Sequence, residues 1–197
     1  RQKVANYAGV TVERKEGQIT LASGKTVRVL DLPGTYSLHP RSADERITCD
    51  VLAGKALGER RPDLVLCVVD ATNLRRSLRL VLAVRRMGLP CVVVLNMADL
   101  ARRRGLKIDI DALSAALNLP VVSTVALNAE GVRALRDTFD DETNWQARTA
   151  DASAEIVDEQ TDHETVRGIL RALNLDALVP DLTSDRIDRW VLHPILG

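Results

Sequence analysis

Short strand-like runs alternate with helical patterns along most of this 197-residue chain, and that alternation restricts its possible folds more than any other feature. Strands are expected near residues 11–21, 25–31, 64–70, 91–96 and 120–125, and helices near 42–54, 73–87, 109–118 and 130–139. A series of this kind builds a largely parallel sheet with helices on both faces. The first two strands are separated only by Ala22, Ser23 and Gly24, so they should pair antiparallel at one edge. In the second helix Leu74, Leu78, Val81 and Leu82 line one apolar stripe, with charge on the other face.

Ligands of open α/β sheets bind at the carboxyl ends of strands, and two short motifs fall there. The apolar run Cys91-Val92-Val93-Val94-Leu95 ends in Asn96-Met97-Ala98-Asp99, an N-x-x-D sequence. The carboxylate of Asp99 can accept both the ring N–H and the exocyclic amine of guanine. Adenine offers no such donor pair and would leave the acceptor unpaired, which is how hydrogen-bonding sites reject near-isosteres. Val27-Arg28-Val29-Leu30 similarly runs into Asp31-Leu32-Pro33-Gly34, a D-x-x-G sequence. Asp31 suits Mg²⁺ held through a water, since this cation dehydrates reluctantly. Gly34 offers a backbone N–H to a terminal phosphate with no Cβ in the way. Upstream, Gly9-Val10-Thr11-Val12-Glu13 supplies a threonine of the kind that closes over Mg²⁺ in a nucleotide switch loop. Taken singly, each has a plain structural reading: a helix cap after a strand, a turn glycine, a strand threonine. Their order, with strands between them, is what favours a guanine nucleotide.

Longer stretches resemble one family. Asn6-Tyr7-Ala8-Gly9-Val10-Thr11-Val12-Glu13-Arg14-Lys15-Glu16-Gly17 and Asp31-Leu32-Pro33-Gly34-Thr35-Tyr36-Ser37-Leu38 are similar to the cytosolic G domain of FeoB, the bacterial ferrous-iron transporter. So are Val69-Asp70-Ala71-Thr72-Asn73-Leu74 and the Asn96–Asp99 box. The stretch from Ser184 through Trp190 and His193 to Gly197 resembles the segment leading into that family's first membrane helix. The resemblance is dense over 1–139 and 184–197. It implies a P-loop-NTPase-like G domain over 1–139. Residues 140–160 are acidic and irregular and read as a linker or loosely ordered start, and helical patterns near 161–175 and 183–192 suggest a helical subdomain over 161–197, which by the resemblance leads toward the membrane.

The same resemblance implies GTP and GDP as ligands, Mg²⁺ bound through Thr11 and Asp31, and K⁺ as a further activating cation. The family's guanine loop corresponds by position to Val125-Ala126-Leu127, with a serine of many G domains replaced by Val125, or under a shifted register to Ser123-Thr124. Thr35 follows the D-x-x-G glycine where fast GTPases often place a water-orienting glutamine, so hydrolysis should be slow. Asp44 and Glu45 read as a charged helix start rather than as bases. No G-x-x-x-x-G-K-[ST] stretch, whose amides and lysine cradle phosphates, occurs in the sequence. Gly24-Lys25-Thr26 looks like its tail but lies between two strands, where a hairpin turn is the better reading. In the family a strand, the P-loop and a helix precede the switch segment, so the chain alone is expected to bind nucleotide poorly.

Composition excludes several classes. Lys+Arg and Asp+Glu are both 27, and this neutral balance does not ask for nucleic acid. Arg75-Arg76 and Arg102-Arg103-Arg104 read as solvated helix faces. Cys49, Cys67 and Cys91 show no C-x-x-C spacing, and the two in strands read as small buried hydrophobes. No apolar run nears the roughly 20 residues that cross a bilayer, and the cytosol is the natural compartment. Trp190, Val191, Leu192, Ile195 and Leu196 give an amphipathic end that could meet a membrane interface. His39, His163 and His193 are scattered, and Asp158, Glu159, Asp162, His163 and Glu164 read as a solvated acidic face rather than an iron site. The resemblance implies placement at the cytoplasmic face of the inner membrane. Its implied partners are the transporter's own membrane domain and small Feo accessory proteins, with oligomerisation through the membrane region. Two other readings remain at this point: a soluble G protein of ribosome or RNA maturation, and a non-hydrolysing G-domain remnant acting through its surface.

Overall fold

The computed structural model describes residues 3–7, 12–35, 37–38, 40, 42–124, 129–146 and 159–175. The chain builds two sheets. The first is antiparallel, in the order β1 (Lys3–Asn6), β2 (Glu13–Thr20), β3 (Thr26–Asp31). The second is parallel, in the order β4 (Val65–Asp70), β5 (Cys91–Asn96), β6 (Val121–Ser123). The antiparallel part therefore exceeds the single edge strand expected from the sequence. Strand β1 went unseen because Val4, Ala5 and Asn6 are all exposed, so no period-two pattern marks it.

β2 and β3 form the expected hairpin. The Leu21 N–H donates to Lys25 O at 2.9 Å and the Gly24 N–H to Leu21 O at 3.0 Å. Gly24 has φ +80°, a left-handed conformation that glycine adopts at no steric cost. β2 is unusually polar for a strand, and ion pairs hold it. Arg14 pairs with Glu16 at 2.7 Å, and both Arg14 and Arg28 bind Glu59, whose side chain is only 4 % exposed. Glu59 lies in the connection before β4, so this network ties the hairpin to the body of the domain.

The parallel sheet fits its sequence closely. β5 lies between β4 and β6, and Cys91 through Leu95 are all buried. Helices α1 (Ala43–Ala53), α2 (Leu74–Arg86), α3 (Ala98–Arg103), α4 (Ile110–Leu117) and α5 (Ala129–Asp140) connect or follow the strands. The apolar stripe of α2 enters the core through Leu78, Val81, Leu82 and Val84, and α4 adds Leu113 and Leu117. Ser42 caps α1 by accepting from the Glu45 N–H, and Gly54 ends it in the left-handed conformation.

After α5 the chain folds back in a short 3-10 turn, Glu142–Trp145. The indole N–H of Trp145 donates to Phe139 O at 2.8 Å, and the Asn144 amide to Thr138 O at 3.0 Å. Helix α6 (Glu159–Ala172) then docks on α2. Val166, Leu170 and Leu175 enter the same core cluster as the parallel sheet. The expected helix near 183–192 and the Trp190 end lie outside the described residues.

Candidate nucleotide-binding site

Because β4, β5 and β6 run parallel, their carboxyl ends share one edge of the sheet. Asp70 pairs with Asn96 in register, and Leu95 with Ser123. Hydrogen bonds beyond the strands bind these exits together. The Ala71 N–H donates to Asn96 O at 2.9 Å, and the Thr124 N–H to Leu95 O at 2.8 Å. Asp70 Oδ1 accepts from both the N–H and the hydroxyl of Thr72, at 2.8 and 2.7 Å, which shapes the turn into α2. The three exits therefore form one braced rim.

The N-x-x-D box occupies the middle of that rim. Asn96 ends β5, and its Oδ1 accepts from the Met97 N–H at 2.9 Å. Met97 has φ +59°, an uncommon conformation for a residue with a Cβ, and 45 % of it is exposed. That kink starts α3 at once, with Ala98 and Asp99 in its first turn. A carboxylate there also benefits from the helix dipole. Val125, Ala126 and Leu127 lie outside the described residues, but Thr124, just before them, is bonded to β5 beside the box.

The D-x-x-G segment leaves β3 toward α1. Asp31 and Gly34 are exposed, whereas Leu32 packs against both core clusters. Thr48 on α1 is buried, and its hydroxyl donates to Pro33 O at 2.7 Å. Thr35 is 8 % exposed, and its hydroxyl donates to Ser37 O at 2.6 Å. Thr35 is thus folded into its own turn. Mg²⁺ usually takes one or two carboxylates, with waters and phosphates filling its remaining positions. Asp31, exposed and with no ion pair among the described residues, fits that donor role.

Gly9, Val10 and Thr11 also lie outside the described residues, but both flanks of their segment are fixed. The Tyr7 N–H donates to Val12 O at 3.0 Å, and Tyr7, Val12 and Val51 form a small core. The Val12 side chain is therefore core, and Glu13 is exposed at the start of β2. The Tyr7 hydroxyl is buried without a partner among the described residues. Burial first, and the Glu59 carboxylate second, raise its pKa above the usual phenol value.

Two residues escaped sequence reasoning. Thr48 carried no signal beyond being a threonine inside a helix. Asp162, expected on a solvated face, instead forms a two-armed pair with Arg86 of α2, one arm at 2.6 Å. Its residue is 7 % exposed, and neighbouring His163 meets Arg79 at 2.7 Å. Among the described residues no group of three or more His, Cys, Asp or Glu could hold a metal.

A parallel sheet flanked by helices, with N-x-x-D at the end of β5 and an exposed D-x-x-G turn after β3, is an α/β domain of the P-loop-NTPase type. Residues 1–139 match the family "Ferrous iron transport protein B", and the chain belongs to that family, FeoB. It is 47 % identical over 145 residues to the Fe(2+) transporter FeoB of Escherichia coli strain K12, and equally so to that of Salmonella typhimurium. Each match covers 71 % of this chain but only 18 % of the relative. The structure is similar to the cytosolic domain of T. maritima FeoB in its GMPPNP form, at TM-score 0.68 and 35 % identity, covering 86 % of this chain and 65 % of that one. It is also similar to the FeoB G-domain of Methanococcus jannaschii, at TM-score 0.59 and 37 % identity, covering 68 % and 82 % respectively. Among the described residues no helix is long and apolar enough to cross a membrane.

Proposed function

We propose that this chain is the GTP-binding, slowly hydrolysing regulatory part of a bacterial ferrous-iron transporter, placed at the cytoplasmic face of the inner membrane. The observation that carries the reading is the rim itself: Asn96–Asp99 is braced between the β4 and β6 exits in a chain similar to domains solved with GDP and GMPPNP. Asp99 reads the guanine edge, and the 125–127 loop offers a backbone N–H to the guanine carbonyl. Gly9 through Glu13 form the segment that closes over the nucleotide, with Thr11 and Asp31 toward Mg²⁺. The bound cation would supply neutralisation of phosphate charge. Gly34 offers its N–H to the terminal phosphate. Thr35, buried and bonded to Ser37, supports slow turnover because it cannot orient an attacking water. No phosphate-cradling lysine motif is present in the sequence, so the affinity of this polypeptide alone should be low.

Coupling to a membrane pore is part of the same proposal. It is supported by α6, which shares the G-domain core and would respond to changes in it. The RNA-maturation reading would call for a basic appendage, and the described part of α6 presents no such surface.

The test is a change of base. Asp99→Asn puts an amide donor where guanine presents donors, and that donor suits the C2 carbonyl of xanthine. Guanine affinity should fall at least about a hundredfold, as expected for two charge-assisted hydrogen bonds, while xanthine nucleotide binding appears. An unchanged guanine preference in Asp99→Asn removes the box from base recognition.

A further inference from the structure

We infer that Thr48 is a positioning residue that aims the Gly34 N–H at the terminal phosphate; the inference rests on the nucleotide reading above. Pro33 C=O and Gly34 N–H belong to one peptide unit. That unit is planar and trans, so its C=O and N–H point in opposite directions. Whatever holds the carbonyl oxygen therefore sets where the N–H points. Thr48, 4 % exposed, holds it from the inside by a 2.7 Å hydrogen bond. The Gly34 N–H is thereby turned away from α1, and Gly34 is exposed.

Several features make this more than a buried hydroxyl finding a partner. A threonine inside a helix ordinarily bonds the carbonyl four residues back in its own helix. Thr48 instead reaches an acceptor 15 residues away in sequence. Proline fixes its own φ and has no N–H, so Pro33 cannot anchor the turn by donating a bond. Among the described residues no group accepts from the Gly34 N–H, so it is available to a ligand. A bond on the carbonyl also polarises the amide, which makes its N–H a better donor.

The expected signature is selective. The terminal phosphate is present in GTP and absent from GDP, so loss of the Thr48 hydroxyl should weaken one ligand and spare the other. The experiment is a ¹⁵N-labelled titration of the 197-residue chain with GMPPNP and with GDP in the presence of Mg²⁺, reading the Gly34 amide directly and tolerating weak binding. GMPPNP should move the Gly34 resonance in the wild type, and GDP should leave it in place. Thr48→Val should lower GMPPNP affinity about tenfold, the worth of one hydrogen bond, with GDP affinity unchanged. Thr48→Ser, which keeps the hydroxyl, should restore it. Equal losses for both nucleotides, no loss for either, or failure of Thr48→Ser to rescue would overturn the inference. If the wild type binds neither nucleotide, the functional reading falls and takes the phosphate role with it. A Gly34 amide shift between Thr48→Val and Thr48→Ser without nucleotide would still separate that failure from an error in the peptide geometry.

Discussion

Arg86 and Asp162 join α2 to α6, and removing them one at a time should have unequal consequences. The pair is two-armed, and its side chains are 27 % exposed for Arg86 and 11 % for Asp162. Taking away Arg86 strands a carboxylate that little water can reach. Taking away Asp162 leaves a guanidinium on a long stem that can turn outward into solvent. Breaking a fully buried pair costs about 3–5 kcal/mol, and an exposed pair contributes under about 1 kcal/mol. The observed exposures place Arg86→Met near 3 kcal/mol, by analogy with the buried limit, and Asp162→Leu near 1.5 kcal/mol, the worth of a charged hydrogen bond. The double variant Arg86→Met/Asp162→Leu should recover much of the loss, since an apolar pair of similar volume often replaces a buried ion pair without penalty. Urea unfolding of the four proteins, followed by circular dichroism, measures the cycle. Equal single losses, or a coupling below about 0.5 kcal/mol, the ordinary scatter of independent sites, would refute the reasoning and with it the view that α6 is locked to the G domain.

The hairpin tip offers a second check. Asp140 at the end of α5 accepts from the Ala22 and Ser23 N–H groups at 3.2 and 3.4 Å. Asp140→Ala should speed hydrogen exchange at those two amides and destabilise the protein by about 1 kcal/mol; unchanged exchange would show that the contact holds nothing. The cysteines give a pH test. The Cys91 thiol donates to Cys67 Sγ at 3.5 Å, and that bond first, then burial, raises its pKa well above the usual thiol value. The folded state then holds this proton where the unfolded state releases it. Stability is thus full below the unfolded thiol pKa and falls as pH rises past it, with a slope approaching about 1.4 kcal/mol per pH unit for one proton. Thermal melts between about pH 8 and 10, spanning that thiol value, should show the fall in wild type and a flatter profile in Cys91→Ala.

The parallel sheet was legible because its strands are short apolar runs set between amphipathic helices; Cys91–Leu95 is buried on both sides as its composition requires. The hairpin was legible from its spacing and from Gly24. Harder to see were features that depend on distant partners. β1 is exposed and carries no pattern, and the strand expected near 11–21 gave no hint that Glu59, far along the chain, would pair with Arg14 and with Arg28 of β3. Asp162 looked solvated because nothing local marks Arg86 as its partner, and α6 showed only a helical pattern. The site divides the same way. Asp31, Gly34, Asn96 and Asp99 stood out as short motifs after strands, whereas Thr48 acts through a tertiary hydrogen bond that leaves no trace in its own neighbourhood.

The central claim is that this rim binds a guanine nucleotide. Titration of the purified protein with fluorescent GTP and ATP analogues, each with and without Mg²⁺, tests it most directly. The account predicts saturable guanine binding strengthened by Mg²⁺, with adenine at least about a hundredfold weaker because Asp99 would be left unpaired. Equal affinity for the two bases, or guanine binding indifferent to Mg²⁺, would contradict it.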